Sequence, residues 1–169
     1  MRAHHSHMAG RHAERGAALI ELAILLPVLL LLGLATIEFA LALRAYTTLV
    51  SQAETAARLL STRTPGDGHD AARCLAATGL MSSLPCTGTP VLPGLSASLV
   101  SVADGSTAAA THRAQMTSAS TGGVAVNLVT VTITGYAHPL TIGSVFNGLT
   151  GTETSLAFDP ISVTMRQQL

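Results

Sequence analysis

The longest apolar stretch of the chain lies near its N-terminus. Residues Leu22 to Ile37 form a 16-residue run that only single Pro, Gly and Thr residues interrupt, and the run continues past Glu38 to Leu43. A helix over the 22 residues from Leu22 to Leu43 is about 33 Å long, enough for a hydrocarbon core of about 30 Å. The pattern predicts one membrane-spanning helix, and the sequence offers no second candidate.

Charged residues on the two sides of this segment predict its orientation. Within residues 1–16, Arg2, Arg11 and Arg15 lie with the single acid Glu14, whereas the first Arg after the apolar segment is Arg44. Because positively charged flanks remain in the cytoplasm, the N-terminus is predicted to be cytoplasmic and the remainder to be exported.

Apolar residues continue at helical spacing beyond the membrane segment. The residues that share this three- and four-residue spacing are Tyr46, Leu49, Val50, Ala53, Ala57 and Leu60. The spacing predicts that one helix, membrane-spanning and then amphipathic, runs from Ala17 to Ser61. Pro and Gly residues at 64–68 end it, so we divide the chain into a leader (1–16), a helical segment (17–63) and an exported domain (64–169).

The exported domain is predicted to combine one short helix with strands. Asp70–Thr78 has helical character, whereas Leu95–Val102, Val124–Thr134 and Ile161–Met165 alternate or are rich in β-branched residues. The apolar phase shifts within Val124–Thr134, which indicates either two buried faces or a bulge. A turn at 117–123 and a Gly/Thr-rich loop at 143–154 separate these strands. The predicted fold is α+β: a long N-terminal helix packed on a small antiparallel sheet.

Composition restricts the class of function. Nine basic residues balance nine acidic ones, so the chain lacks the basic field that binds nucleic acid. Only 11% of residues are charged and 48% are hydrophobic, which favours membrane contact or self-assembly. Two Tyr, three Phe and no Trp leave Val, Leu, Ile and Ala as the predicted core residues.

Cys74 and Cys86 are the only cysteines, and the predicted topology exports both. Disulfides persist outside the cytoplasm, and closing a loop of about a dozen residues stabilises a fold by about 3 kcal/mol. A metal site needs two more ligands, and His69 and His112 supply no recognisable spacing. We therefore favour a disulfide over a metal site, with two free thiols as a lesser alternative.

No catalytic motif is found in the sequence. Nucleophile elbows, phosphate-binding loops and metalloprotease motifs are absent. The nearest arrangement is His69-Asp70 in a Gly-rich turn, which is more typical of a solvated loop. Four histidines lie in the leader, at His4, His5, His7 and His12, but cleavage would discard them. We predict no enzyme, catalytic residue, metal site, cofactor or small-molecule substrate.

Three processing fates fit the N-terminal segment. Signal cleavage after Ala42 would release a secreted domain, but the apolar run is long for a signal peptide and Glu38 lies close to that cut. The segment can also remain as an uncleaved anchor. Alternatively, a peptidase cuts on the cytoplasmic side and leaves the whole span on the mature protein.

The positions of Gly16 and Glu21 favour the third fate, cleavage on the cytoplasmic side of the apolar segment. Gly16 joins the basic leader to the apolar stretch, and Glu21 is the fifth residue after it. A carboxylate costs free energy in a membrane and favours a partner. Cleavage after Gly16 creates a charged Ala17 amine that can pair with Glu21 of a neighbouring subunit. Alternatively, Glu21 lies among lipid headgroups at the positive helix N-terminus, and the spacing leaves both interpretations open.

An ordered set of features lies between Arg15 and Leu60. It consists of Gly16, Glu21 as the fifth residue after it, Pro27 in the apolar core, the acid–aromatic pair Glu38-Phe39, and the alanine-rich stretch Ala53, Ala56, Ala57 and Arg58. With these features the segment resembles the N-terminal module of the TadE-like family, pseudopilins of the tight-adherence (Tad/Flp) pilus machinery, in which Gly16 matches the prepilin cleavage Gly and Glu21 the fifth-position Glu. It departs from the usual Tad-type prepilin at Leu22, where an aromatic residue typically follows the Glu.

The resemblance implies a minor pseudopilin with a structural role in assembling an adhesive type IV-like pilus. A prepilin peptidase would cut between Gly16 and Ala17, and Glu21 would act in assembly. The implied partners are membrane lipid, the peptidase, and other pilin subunits or copies of the chain. The implied location is the bacterial inner membrane and, after assembly, the extracellular pilus. The alternatives are an uncleaved single-pass envelope protein with an exported binding domain, and a secreted soluble domain.

Overall fold

The computed structural model describes residues 8–116, 125–140 and 155–168. The chain divides into two compact units, Met1–Ala40 and Leu41–Leu169. The predicted turn at 117–123 lies outside the described residues, as does nearly all of the predicted loop at 143–154.

Helix α1 spans Met8–Ser61 and contains Pro27. It ends at the predicted residue but begins nine residues before Ala17, because no proline interrupts the leader after Met8. The first unit of the chain ends at Ala40, and its described residues all belong to this helix.

The second unit begins with the part of α1 from Leu41 to its end at Ser61 and adds the remaining elements. Helix α2 spans His69–Thr78, and a 3₁₀ turn at Ala97–Leu99 leads into the sheet. The other elements are β1 (Val100–Ala103), α3 (Ala109–His112), β2 (Gln115–Met116), β3 (Ala125–Ile133), β4 (Ala137–Pro139), β5 (Ser155–Ala157) and β6 (Ile161–Gln167).

Strand β3 is the centre of an antiparallel sheet. It pairs with β6 over Asn127–Ile133, with β1 over Thr130–Ile133, and with β2 at Ala125 and Val126. The register between β3 and β6 advances one residue at a time through this range, so no bulge lies there. Strands β4 and β5 form a separate antiparallel pair.

The burial of β3 differs from both alternatives that the sequence suggested. Val129, Val131 and Ile133 are buried, whereas Val126 and Leu128 are only half-buried. One face of the strand therefore packs in the core, and Val126 and Leu128 lie on its opposite face.

The core lies between α1, α2 and the sheet. Helix α1 contributes small and apolar side chains at helical spacing, and β3 contributes the alternating residues of its buried face. The buried α1 residues are Leu49, Ala53, Ala56, Ala57 and Leu60. This confirms the α+β arrangement of a long N-terminal helix packed on a small antiparallel sheet.

Aromatic residues contribute more to the core than the composition suggests. Phe158 lies between two tyrosines, with ring centroids 5.9 Å from Tyr46 and 5.8 Å from Tyr136. Tyr136 is among the largest fully buried side chains, and burial raises the pKa of its hydroxyl. The prediction of a core built only from Val, Leu, Ile and Ala was therefore wrong, because three of the five aromatic residues meet at one place.

Candidate functional site

Gly16 and Ala17, the predicted cleavage residues, lie inside α1. The helix continues through this peptide bond for two turns on its N-terminal side. Glycine is less favourable than alanine in a helix interior by about 1 kcal/mol. The helix is therefore locally weaker at Gly16, where a peptidase would need an extended backbone.

Glu21 lies one helical turn after Ala17, and its side chain is exposed. Residues four apart share a face of a helix, so Glu21 and the Ala17 position lie on the same side of α1. No ion pair joins Glu21 to another described residue.

The helix around Glu21 presents an apolar surface on all sides. Every large apolar side chain from Leu19 to Phe39 is exposed, from 42% at Leu34 to 70% at Phe39. The helical segment Ala18–Ser61 is long and apolar enough to cross a membrane, with a mean hydropathy of 2.6 in its most apolar window. Such a surface is suited to contact with lipid or with other apolar helices.

Cys74 and Cys86 form a disulfide with a Cα–Cα distance of 5.2 Å. Cys74 is fully buried in α2, and Cys86 lies in the irregular segment that follows. The bond attaches this segment, which carries the exposed side chains of Leu80, Met81 and Leu84, to helix α2.

The sequence analysis missed a buried polar cluster centred on Asp104. One carboxylate oxygen, Oδ2, accepts hydrogen bonds from the Gly66 N–H and lies 2.7 Å from His69 Nε2. The other, Oδ1, accepts from the N–H and hydroxyl groups of Ser106 and Thr107. The run Asp104-Gly105-Ser106-Thr107 is typical of an Asx turn, which was a local signal for part of this cluster.

Several groups determine the ionisation of Asp104. Burial by itself favours the neutral acid, but the hydrogen bonds from Ser106, Gly66 and His69 outweigh it. Together they hold the pKa of the Asp104 carboxyl well below its usual range. The group is therefore a structural carboxylate that joins the loop after α1, the start of α2 and the loop after β1.

The geometry of this cluster differs from that of a hydrolytic triad. His69 contacts Asp104 and not its neighbour Asp70, which pairs with Arg73 at 3.5 Å. Ser106 also donates to Asp104, so the carboxylate lies between the serine and the histidine. A nucleophilic serine needs a base as its direct partner. In the described part of the chain, no group of three or more His, Cys, Asp or Glu residues is placed to hold a metal ion.

Comparison with known families gives one match. Residues 16–58 match the model of the family described as TadE-like protein. The match begins at Gly16, includes Glu21, and confirms the resemblance seen in the sequence over this segment. It covers a minority of the chain and ends before α1 does.

The family indicates a component associated with the Tad pilus, of a structural rather than an enzymatic kind. Proteins of this family are envelope components that act with other pilus proteins. No curated protein and no solved structure gives a significant match to the chain.

Proposed function

We propose that the chain is the precursor of a TadE-like minor pseudopilin, a structural component in assembly of a tight-adherence pilus. The match of residues 16–58 carries this proposal, because it begins at Gly16, the residue at which the leader would end. The leader is removed between Gly16 and Ala17 by a prepilin peptidase, on the cytoplasmic side of the inner membrane.

Processing changes the chemistry at the start of the helix. The new Ala17 amine is positively charged near neutral pH and lies one turn from Glu21. In the membrane, an amine and a carboxylate both favour a partner of opposite charge. Glu21 of one subunit and Ala17 of the next provide such a pair, which fixes the offset between neighbouring helices.

The apolar part of α1 supports two successive environments. Its exposed side chains from Leu19 to Phe39 suit lipid before assembly and neighbouring helices afterwards. Gly33 has no atom within 4 Å of the position where a Cβ would lie, so it leaves a shallow site for an incoming helix. The second unit, held by its core and disulfide, is carried as an exported domain.

Mapping the N-terminus of the mature protein tests this proposal. In a host with the peptidase, the wild-type chain should begin at Ala17, and Gly16→Leu should retain the leader because the leucine side chain fills the space at the cleavage site. Gly33→Leu is the matched control, since it adds the same side chain beyond the cleavage site and should be processed normally.

The alternatives give different N-termini. An intact leader on wild-type mature protein contradicts the pseudopilin proposal and supports an uncleaved single-pass envelope protein. A mature chain that begins at Leu43 supports a secreted domain. A strain that lacks the chain should also lose surface pili, and expression of the wild-type chain should restore them; unchanged pili would contradict the assembly role.

A further inference from the structure

A groove lies beside the first two turns of α1 in the second unit. Helix α1 contributes Leu41, Arg44 and Thr48 to one wall, while Val91, His138 and Pro139 line the other. Its volume is about 420 Å³, within the range of about 300–1,000 Å³ that is typical of small-molecule sites. The lining is partly apolar and partly polar, as expected for a ligand with both characters.

The polar part of the groove is suited to an anion. Arg44 is exposed, and no carboxylate of the described residues pairs with its guanidinium group. The Thr48 hydroxyl already donates to the Arg44 carbonyl at 2.8 Å, so the Arg44 guanidinium is the polar group that remains for a ligand.

The place of the groove along the chain identifies the source of the anion. Leu43 is the last residue of the apolar stretch, and Arg44 is the first basic residue after it. When the stretch spans a membrane, Arg44 lies at the level of the headgroups on the exported side. Tyr46 is 44% exposed at the same level, where tyrosine is enriched in membrane proteins.

We propose that this groove binds the phosphate headgroup of a phospholipid from the outer leaflet. The guanidinium group of Arg44 donates two hydrogen bonds to the phosphate oxygens, a geometry that guanidinium adopts readily. Leu41, Val91 and Pro139 contact the glycerol and the first methylene groups. The bound lipid holds the second unit against the membrane surface before the subunit leaves for the pilus.

A lipid fits this groove better than a free phosphate ion does. A free ion is fully hydrated in solution and gains nothing from the apolar wall formed by Leu41 and Val91, whereas a lipid buries its glycerol region there. The proposal rests on the membrane insertion of α1 given under the proposed function, but it does not depend on cleavage after Gly16 or on subunit pairing.

Native mass spectrometry of the full chain in a glycoside detergent tests the proposal. Phosphatidylglycerol is compared with a galactosyl diacylglycerol of the same acyl chains, which lacks the phosphate, and with inorganic phosphate. Wild type should retain one phosphatidylglycerol per chain and little of the other two. Arg44→Gln should weaken that binding about tenfold, as expected for loss of a charge-assisted hydrogen bond.

Arg58→Gln is the matched control, because Arg58 is exposed on the same helix but outside the groove. It should bind like wild type. Arg44→Lys should give an intermediate affinity, since lysine keeps the positive charge but cannot donate the two parallel hydrogen bonds of the guanidinium group. Equal retention of the two lipids, equal binding by Arg44→Gln, or Arg44-dependent binding of inorganic phosphate alone would each overturn the proposal. Because binding is measured on the unprocessed chain, its failure is distinct from a failure of cleavage or pilus assembly.

Discussion

His69 Nε2 lies 2.7 Å from Oδ2 of Asp104, a carboxylate with a side-chain exposure of only 1%. The two residues are 35 positions apart and belong to the first turn of α2 and the loop after β1. Since the same oxygen also accepts from the Gly66 N–H, Asp104 connects the loop after α1, the start of α2 and the loop after β1.

Asp104→Asn should lower the free energy of unfolding by about 1–3 kcal/mol. The substitution replaces a buried charged acceptor by a neutral amide, and the NH₂ group of that amide faces backbone N–H groups that also donate. Thermal unfolding of the full chain in detergent measures this loss. The matched control is Asp159→Asn, which makes the same change at an exposed position and should leave the unfolding temperature within experimental error.

The stabilisation from Asp104 should also depend on pH in a defined direction. The folded-state pKa lies below the usual value, so this contribution is complete above about pH 4 and is lost as the pH falls toward the folded-state pKa. Measured from pH 7 down to pH 3, the difference in unfolding free energy between wild type and Asp104→Asn should therefore shrink only below about pH 4. A constant difference over this range would contradict a stabilising carboxylate.

The disulfide predicts a simple labelling result. Native, non-reduced protein from the envelope should not react with a thiol alkylating reagent, and reduced, unfolded protein should gain two labels, as measured by intact mass. Replacing both cysteines by serine should lower the free energy of unfolding by about 3 kcal/mol, since the closed loop no longer restricts the unfolded chain. Immediate labelling of both thiols would show that the exported protein is reduced.

Glu21→Gln separates the two roles considered for this carboxylate. If Glu21 pairs with the Ala17 amine of a neighbour, the variant should insert and be cleaved normally, because removing a charge eases entry into lipid, but it should fail to assemble. If Glu21 only lies near headgroups at the helix N-terminus, the loss is under about 1 kcal/mol and assembly should continue. Crosslinking between subunits and counts of surface pili measure the difference.

The control for this experiment is Glu54→Gln, the same change on the same helix but in the second unit. It should assemble like wild type. Wild-type crosslinking and pilus counts in fully processed Glu21→Gln protein would contradict pairing between subunits.

Ala53 tests how tightly the core packs around α1. It is completely buried in the core, so Ala53→Leu should lower the free energy of unfolding by about 1–3 kcal/mol through overpacking. Ala109→Leu adds the same side chain at an exposed position and should have little effect. Equal unfolding temperatures for the two variants would indicate that space remains between helix and sheet.

Sequence periodicity predicted the elements in which apolar and polar residues recur with the period of a helix or a strand. Helix α2 was expected from Asp70 and begins at His69, and β6 was expected from Ile161, where it begins. Both are amphipathic over their full length, so local pattern and burial agree. Strands β4 and β5 were not predicted, because three residues each are too few to show a period.

The Asp104 cluster could not be predicted in full for a different reason. The turn from Asp104 to Thr107 has a local signature, but Gly66 and His69 reach the carboxylate only through the folding of α1 and α2 onto the sheet. A single sequence carries no signal for such distant pairs. Conversely, Gly16 and Glu21 were identified from their spacing together with the resemblance to the TadE-like family, and the roles proposed for them involve contacts beyond one chain.

Strand β6 also has a mechanical consequence for the fold. Its Gln167 side chain donates to the Arg63 carbonyl at 2.9 Å, and the next residue, Gln168, donates its N–H to the Ser61 carbonyl at 2.7 Å. A pulling force applied along α1 therefore passes directly into β6 as well as through the loop that begins at Thr62. Because β6 is paired with β3 from Asn127 to Ile133, the hydrogen bonds between these two strands share that load.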